Sequence, residues 1–400
     1  MDLTDLRESM VTRLTERQEV GERVAAAMRA VPRHLFLPHI PPEDAYRDEP
    51  IVTRRDADGR PTSSSSQPAI MAAMLDQLAV RPGDRVLEVG AGTGYNAALL
   101  GALAGPEGRV VCIDIDADVA AEARAHLDAA GLPWVEVLCG DGAEGHAEPA
   151  PYDRLIATVG VWDLAPAWTA QLAPGGRLVV PLDLNGMQVS VAMERDGDHW
   201  TSLSVVPCGF MRMRGPSAGP EVLAVLHQNP DLLLTLPAPR ELGDVSAALA
   251  TEPTELLLTA VLDEPARPPQ DPAREGRAEA PAREGPVWEA AVAFRTGVPM
   301  WLALHEPRWC TLMGGGHGFC AGLVEPGGIA LLPLDGDPVV RGHGRDGDRL
   351  AEELAAHVHA WTAAGRPRPT DLRIDAHPAG AAVSGPLILR KRHTTLALSY

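Results

Sequence analysis

The sequence predicts an α/β fold: a doubly wound, largely parallel sheet over residues 1–215, followed by a C-terminal α+β domain over 216–400. Three observations carry this. First, Val86–Val89 is an aliphatic run suited to a strand buried on both faces, and it leads into Gly90-Ala91-Gly92-Thr93-Gly94-Tyr95 and a helical stretch, Asn96–Leu100. Second, further strand-like runs, Arg109–Asp114, Val135–Cys139, Tyr152–Thr158 and Arg177–Pro181, alternate with helical segments across short turns. Third, two of these strands close on acids, Asp114 and the Asp141 of Gly140-Asp141-Gly142, at the edge where such sheets bind ligands.

Composition sets the outer bounds. The 400 residues suggest two domains, and 45% hydrophobic with 22% charged residues is ordinary for a soluble globular protein. A formal net charge of −19 argues against nucleic acid as partner. No N-terminal apolar run with a cleavage site and no apolar stretch of about 18 residues is present, so neither a secretion signal nor a membrane span is expected. The five cysteines lack CxxC spacing, and Cys112 and Cys139 fall in apolar runs where reduced, buried thiols are expected. A cytoplasmic protein follows; its oligomeric state is not set by the sequence.

In chain order, two amphipathic helices come first, with Leu3, Leu6, Met10 and Leu14 on one, and Val24, Met28 and Val31 on the next. Pro32 ends the second. After a loop region, Thr62–Ser66 is a serine run, which usually means a flexible loop. Pro68 fits the first position of a helix with Ser66 or Gln67 at its cap, and Ile70, Met71, Met74, Leu75 and Leu78 form its apolar face. An alanine-rich helix is expected over Asp118–Ala130, and another element from Trp168 to Leu172 leads into Pro174-Gly175-Gly176.

The glycine loop offers backbone N–H groups at a helix N-terminus, a site for a carboxylate or phosphate. A dinucleotide fingerprint needs a third glycine where Tyr95 stands, and a Walker loop needs a Gly-Lys-Ser/Thr that is absent. Each acid alone reads as a solvated strand end. Taken together, Glu88 before the glycines, Asp114 roughly twenty residues on and Asp141 resemble the Rossmann-like class I S-adenosylmethionine-dependent methyltransferases. Val31-Pro32-Arg33-His34-Leu35-Phe36, Ala45-Tyr46, Ser66-Gln67-Pro68, Val86–Gly90, Gly140–Gly142, Ala150–Asp153 and Gln171–Leu178 narrow this further. In that order they resemble the signature of protein-L-isoaspartate O-methyltransferases, over about half of the chain. The resemblance implies a pocket for S-adenosyl-L-methionine, with S-adenosyl-L-homocysteine as product. Gly90, Ala91, Gly92, Thr93, Gly94 and Tyr95 would hold its methionyl part and Glu88 would support that loop. Asp114 with Ile115 would take the ribose, and Gly140, Asp141 and Gly142 would border the adenine. Ser66 matches the family's active-site serine, with Ser65 beside it; no metal is implied.

An aspartyl-type carboxylate, with a pKa near 4, is already ionised at neutral pH and needs no general base. Catalysis then reduces to proximity, alignment with the sulfonium methyl and exclusion of water. A serine hydroxyl could fix the acceptor oxygen. Once the ester forms, the next backbone nitrogen can displace methanol and close a succinimide.

Two departures bear on the substrate. The family carries an apolar residue before its serine, where this chain has Ser63-Ser64-Ser65-Ser66; and repair enzymes are expected to end near Val206–Phe210, while this chain continues. The extension reads as folded, with strands at 231–236, 256–262, 301–304, 309–313, 328–334, 372–375, 387–389 and 394–400. A helix is expected over Leu350–Ala364 and a disordered insertion over 263–286. Gly314–Gly318 reads as a turn rather than a phosphate loop. His357 and His359, at i, i+2 on a helix, face different sides, which excludes a zinc pair. Arg390-Lys391-Arg392-His393 reads as a solvated strand end or a grip on an acidic peptide, and Trp288, Trp301, Trp309 and Trp361 as core. An extended methyltransferase of this kind resembles the tailoring enzymes of ribosomally made peptides such as lanthipeptides and graspetides. That resemblance implies methylation of a chosen aspartate in a precursor-peptide substrate, giving aspartimide or isoaspartate. Repair of isoaspartyl protein is the alternative, and an inactive cofactor-binding module a further one.

Overall fold

The computed structural model describes all residues except 1, 58, 221–222, 228–230, 259–296 and 335–337. The insertion expected over 263–286, and Trp288, lie outside the described residues. The chain divides into two compact units: Met1–Asp183 with Gln188–Gly219 and Arg373–Ser399, and Leu184–Met187 with Pro220–Leu372 and Tyr400.

In the first unit the helices are α1 (Leu3–Arg17), α2 (Glu22–Ala30), α3 (Pro42–Ala45), α4 (Pro68–Leu78), α5 (Tyr95–Ala104), α6 (Ala117–Ala129) and α7 (Pro166–Gln171). The strands are β1 (Ile51–Arg55), β2 (Pro61–Ser65), β3 (Arg85–Val89), β4 (Arg109–Asp114), β5 (Glu136–Cys139), β6 (Tyr152–Ala157), β7 (Leu172–Leu184), β8 (Met187–Asp196) and β9 (His199–Cys208). β4, β3, β6 and β7 run parallel with β5 at one end. The strand order 5-4-3-6-7 reverses direction of travel between β3 and β6, and the crevice at such a switch point is where doubly wound sheets take ligands. Val86, Leu87 and Val89 are fully or nearly fully buried, as their aliphatic run requires. A continuous core joins α1, α2, α4 and α5 to this sheet through Met10, Leu14, Met28, Met74, Leu99 and Leu100.

In the second unit, β10 (Leu223–His227), β11 (Leu232–Thr235), β12 (Thr254–Leu257), β13 (Trp309–Gly314), β14 (Phe319–Glu325), β15 (Gly328–Pro333) and β16 (Val339–Gly344) form one antiparallel sheet, in the order 10-11-13-14-15-16-12. It is accompanied by α8 (Val245–Leu249), α9 (Gly297–His305) and α10 (Gly347–Ala363). Gly314–Gly318 is the β13–β14 turn, with positive φ at Gly314, Gly315, Gly316 and Gly318. Trp309 and Trp361 are buried, their indole N–H groups donating to Asn185 O and Pro367 O, while Trp301 stacks on His305 at 3.8 Å. Arg308 anchors an ion cluster with Glu306, Glu325 and Glu353. Burial works against the Glu306 carboxylate, but its bonds from Arg308 win and hold its pKa near 2.

Four expectations are corrected. Residues 301–304 belong to helix α9, not a strand; Val298 to Leu304 are mostly buried, and an apolar run without alternation does not distinguish the two periods. The serine run is strand β2, paired with β1 through Ile51–Ser65 and Val52–Ser64, so it is ordered rather than a loose loop. Cys139, at the end of edge strand β5, is exposed. The last three strands, β17 (Arg373–Pro378), β18 (Leu387–Arg390) and β19 (Thr394–Ser399), extend the first unit's sheet instead of the second's, through β17 against β9. That pairing covers what would be an open edge of the methyltransferase sheet, a place where unpaired N–H and C=O groups invite association. Alternating apolar residues mark a strand; they do not name its partner.

Candidate active site

The sheet's carboxyl edge gathers the sequence-picked residues. Gly90, Gly92 and Gly94 have φ of +100°, +52° and +86°. A Cβ at Gly90 would stand 2.9 Å from Thr158 Oγ1 and Val159 Cγ1, so only glycine fits between β3 and β6 there. Thr158 Oγ1 donates to Gly90 O at 2.6 Å and fixes the loop. Gly94 opens α5, leaving the backbone N–H groups of its first turn open to an anion. Ala91 is buried under the loop, and Thr93 O meets His126 Nδ1 at 3.0 Å.

Two carboxylates flank this cradle, one hydrogen-bonded on both oxygens and one on a single oxygen. Asp114, at the tip of β4, accepts Gly92 N–H through Oδ2 and Asp116 N–H through Oδ1, both at 3.1 Å. Each oxygen keeps a lone pair for a further donor such as a hydroxyl. Glu88 is fully buried; Oε1 accepts from Asn96 Nδ2 at 2.8 Å, and Oε2 has no hydrogen-bond partner among the described residues. Burial pushes the Glu88 carboxyl up to about 8, with Asn96 opposing and the Asp114 charge adding to the rise. An orphaned buried oxygen facing this loop suits a cationic ligand group.

The sign of that shift yields a stability test. An unfolded glutamate titrates near 4.3, whereas folded Glu88 holds its proton to about 8. Between these values the folded state binds the extra proton. Its contribution is therefore fully present at low pH and lost as pH rises through the folded value, by about 1.4 kcal/mol per unit. Urea midpoints of ligand-free protein are expected to fall across this window, and Glu88→Gln to flatten the fall; parallel curves for the two proteins would contradict it.

Asp141 caps the short turn after β5 through Ala143 N–H at 2.9 Å. Gly140 N–H reaches Asp114 O at 2.9 Å, joining the two strand ends. A Cβ at Gly142 would stand 2.4 Å from Val89 Cγ1, and Trp168 Nε1 donates to Gly142 O at 2.7 Å. Ile115 is an exposed apolar side chain, 39% accessible, directly after Asp114. Sequence reasoning missed the segment that covers this edge. Gly160 N–H donates to Met211 O at 2.7 Å and Gly160 O accepts Met213 N–H at 2.8 Å, bracketing Arg212, and a Cβ at Gly215 would stand 2.8 Å from Ile115 Cδ1 and 3.8 Å from Asp141 Oδ2. Its signal was Gly215-Pro216 after the alternating Met211-Arg212-Met213-Arg214, too common to single out.

The serine segment approaches the same loop. A Cβ at Gly92 would lie 3.7 Å from Ser64 O, so β2 ends beside the cradle. Ser65 is buried and Ser66 half-buried. Neither serine hydroxyl caps α4: Gln67 is its N-cap without a side-chain bond, and Asp48 Oδ1 accepts Ala69 N–H at 2.8 Å in their place. Arg33 is also new. It is fully buried, donates from Nε to Ala45 O and from Nη2 to Ser66 O, both at 2.9 Å, and lies 5.0 Å over the Tyr95 ring. Tyr95, first residue of α5, is itself buried with its hydroxyl unpartnered.

The basic run also differs from expectation. Lys391 is not solvated: its ammonium donates to Trp162 O and Asp183 O, and burial pulls its pKa down to about 8. Asp163 accepts His393 N–H and Thr394 Oγ1, so the β18–β19 turn is fastened to the segment after β6. His357 Nε2 meets Glu306 Oε2 at 3.2 Å.

A parallel sheet with its switch point beneath a three-glycine cradle, flanked by Glu88 and Asp114, defines a Rossmann-like class I S-adenosylmethionine-dependent methyltransferase, with an added C-terminal β-rich region. The model of the family Protein-L-isoaspartate(D-aspartate) O-methyltransferase matches residues 5–213. The chain belongs to that family and is an S-adenosylmethionine-dependent carboxyl O-methyltransferase. A protein-L-isoaspartate O-methyltransferase of Methanoregula boonei is 44% identical over 193 residues, covering 48% of this chain and 85% of the relative. Protein-L-isoaspartate O-methyltransferase 2 of Archaeoglobus fulgidus is 37% identical over 224 residues, 54% of this chain and 99% of the relative. A solved protein-L-isoaspartate O-methyltransferase shares the fold at TM-score 0.53 and 22% identity, over 98% of this chain and 99% of its own. That solved chain aligns over the extension as well, whereas the Archaeoglobus relative is matched over 99% of its length by 54% of this chain and so ends with the first half, as expected of repair enzymes. No helix among the described residues is long and apolar enough to cross a membrane.

Proposed function

We propose that this protein methyl-esterifies the free carboxylate of isoaspartyl residues in proteins or peptides, the first step of their repair. The observation that supports this reading is that β2 ends at the glycine loop, with Ser64 O 3.7 Å from where a Cβ on Gly92 would stand, so that the serine run would lie beside the methyl donor. The methionyl carboxylate would rest on N–H groups from Ala91 to Tyr95, and its ammonium and sulfonium charge would favour ionised Glu88. The ribose hydroxyls would take Asp114's remaining lone pairs. Ile115 would pack on the adenine face, with Gly140, Asp141 and Gly142 along its edge. S-adenosylmethionine supplies the electrophilic methyl; the protein has only to aim an ionised carboxylate at it and keep water out. Ser66 Oγ would donate to that carboxylate, and Arg33 would hold the Ser66 backbone in place. Ser65, being buried, would pack behind it.

The serine run favours a second reading: methylation of a chosen aspartate in a ribosomally made, modified peptide, ending in aspartimide or isoaspartate. A rim of hydroxyls in place of an apolar residue suits a more polar acceptor strand. The extension does not separate the two readings, because the fold of one solved protein-L-isoaspartate O-methyltransferase aligns over it as well. Mass spectrometry of peptides incubated with S-adenosylmethionine separates the two. Repair predicts gain of a methyl and loss of methanol on linear isoaspartyl peptides, with ordinary aspartyl peptides untouched. Inert isoaspartyl peptides, with methylation of an aspartate in a constrained peptide, would overturn repair in favour of tailoring.

A further inference from the structure

Away from the methyl-transfer site, one place among the described residues brings three metal-ligating side chains together: Asp198, His199 and His377. All three belong to the first unit. Asp196 pairs with His199, so Gly197–Asp198 is a two-residue turn closing the β8–β9 hairpin, and Asp198 is held next to His199. β17 runs antiparallel to β9 with Asp375 opposite Thr201 and Ala376 opposite Trp200. Continuing that register by one residue sets His377 directly opposite His199. The two imidazoles lie face to face, with centroids 4.5 Å apart and planes 19° apart. Asp198 Oδ1 is 3.3 Å from His199 Nδ1, and one ligand atom from each of the three residues lies within 4.8 Å of the others.

Opposed residues on antiparallel strands carry Cβ atoms only about 5 Å apart, so two imidazoles there can reach one ion without moving the backbone. Nitrogens sharing a zinc ion at about 2.1 Å each stand about 3.3 Å apart in tetrahedral geometry. The stacked rings must swing about χ1 and χ2 until their in-plane lone pairs converge on the ion, and their half-exposed position leaves room for that movement. Two imidazoles and a carboxylate suit zinc, cobalt, nickel or copper rather than magnesium or calcium, which prefer an all-oxygen shell. The net charge of −19 raises the local concentration of any divalent cation. None of the three residues takes part in the methyl-transfer site, so this site stands apart from it.

We propose that Asp198, His199 and His377 bind one divalent transition-metal ion, which ties the returning strand β17 to β9 and completes its fourth position with water. The test uses the full chain without an affinity tag, stripped with a chelator, titrated with zinc by calorimetry and with cobalt by visible absorption. One equivalent is expected to bind, with a rise in the thermal midpoint at excess zinc that chelator reverses. His377→Gln and His199→Gln are each expected to weaken binding at least about tenfold, with metal-free methyl transfer unchanged. Because His377 lies within a strand, Asp198→Asn combined with His199→Gln on the turn gives an independent check. The proposal is overturned if stripped wild-type protein takes up no stoichiometric metal, or if these variants bind it as tightly as wild type.

Discussion

Replacing Asp114 by asparagine is expected to weaken binding of S-adenosylmethionine and S-adenosylhomocysteine about 100-fold while leaving the fold intact. The carboxylate has two structural jobs: it receives Gly92 N–H on one oxygen and Asp116 N–H on the other, shaping both the glycine loop and the turn after β4. Asparagine offers one acceptor oxygen, so one of those N–H groups faces an NH2, and the ribose loses a charged acceptor. Hydrogen bonds to charged groups are worth about 1.5–3 kcal/mol each, and about 2.8 kcal/mol corresponds to that loss in affinity. Calorimetric titration with S-adenosylhomocysteine reads it directly. A change of less than about threefold would be under 1 kcal/mol and would remove Asp114 from the cofactor site.

Arg33→Met is expected to cost about 2–4 kcal/mol of stability and, in whatever protein folds, to raise KM for peptide far more than for S-adenosylmethionine. A buried cation without a carboxylate partner is costly in itself, and burial lowers the Arg33 pKa from its usual range. Swapping buried ionic groups for apolar ones of similar size is often neutral or stabilising, which argues the other way. The deciding feature is what the guanidinium leaves behind: two buried carbonyls, Ala45 O and Ser66 O, lose their donor. Arg33→Lys would serve one carbonyl at most and should fall between. Urea melts and separate KM values for the two substrates check this. An Arg33→Met protein as stable as wild type with unaltered peptide KM would show that Arg33 does not position the serine segment.

The cofactor half was legible because its chemistry is local. Glu88, the glycine loop and the helix after it are contiguous and Asp114 follows roughly twenty residues on, so the family resemblance could point to Gly90–Gly94, Glu88 and Asp114 as one cluster. What escaped the sequence was long-range. Arg33 acts on Ser66 across 33 positions, and the Gly215 segment comes back over Ile115 from beyond five further strands. The β17–β19 strands were visible as strands, but their place against β9 depends on which edge was open. Helix α9 was misjudged because its burial on nearly all sides erases the amphipathic period. The serine run misled for the opposite reason: polar composition suggested a loop, while pairing with β1 makes it a strand.

The central claim, a carboxyl methyltransferase that selects the isoaspartyl linkage, is tested most directly by a pair of peptides identical except for one aspartyl bond. With labelled S-adenosylmethionine and base-released methanol as readout, kcat/KM for the isoaspartyl peptide is expected at least about 1000-fold above its aspartyl twin, a difference of about 4 kcal/mol in transition-state binding. Equal rates on both peptides, or label transferred only to the aspartyl form, would contradict it.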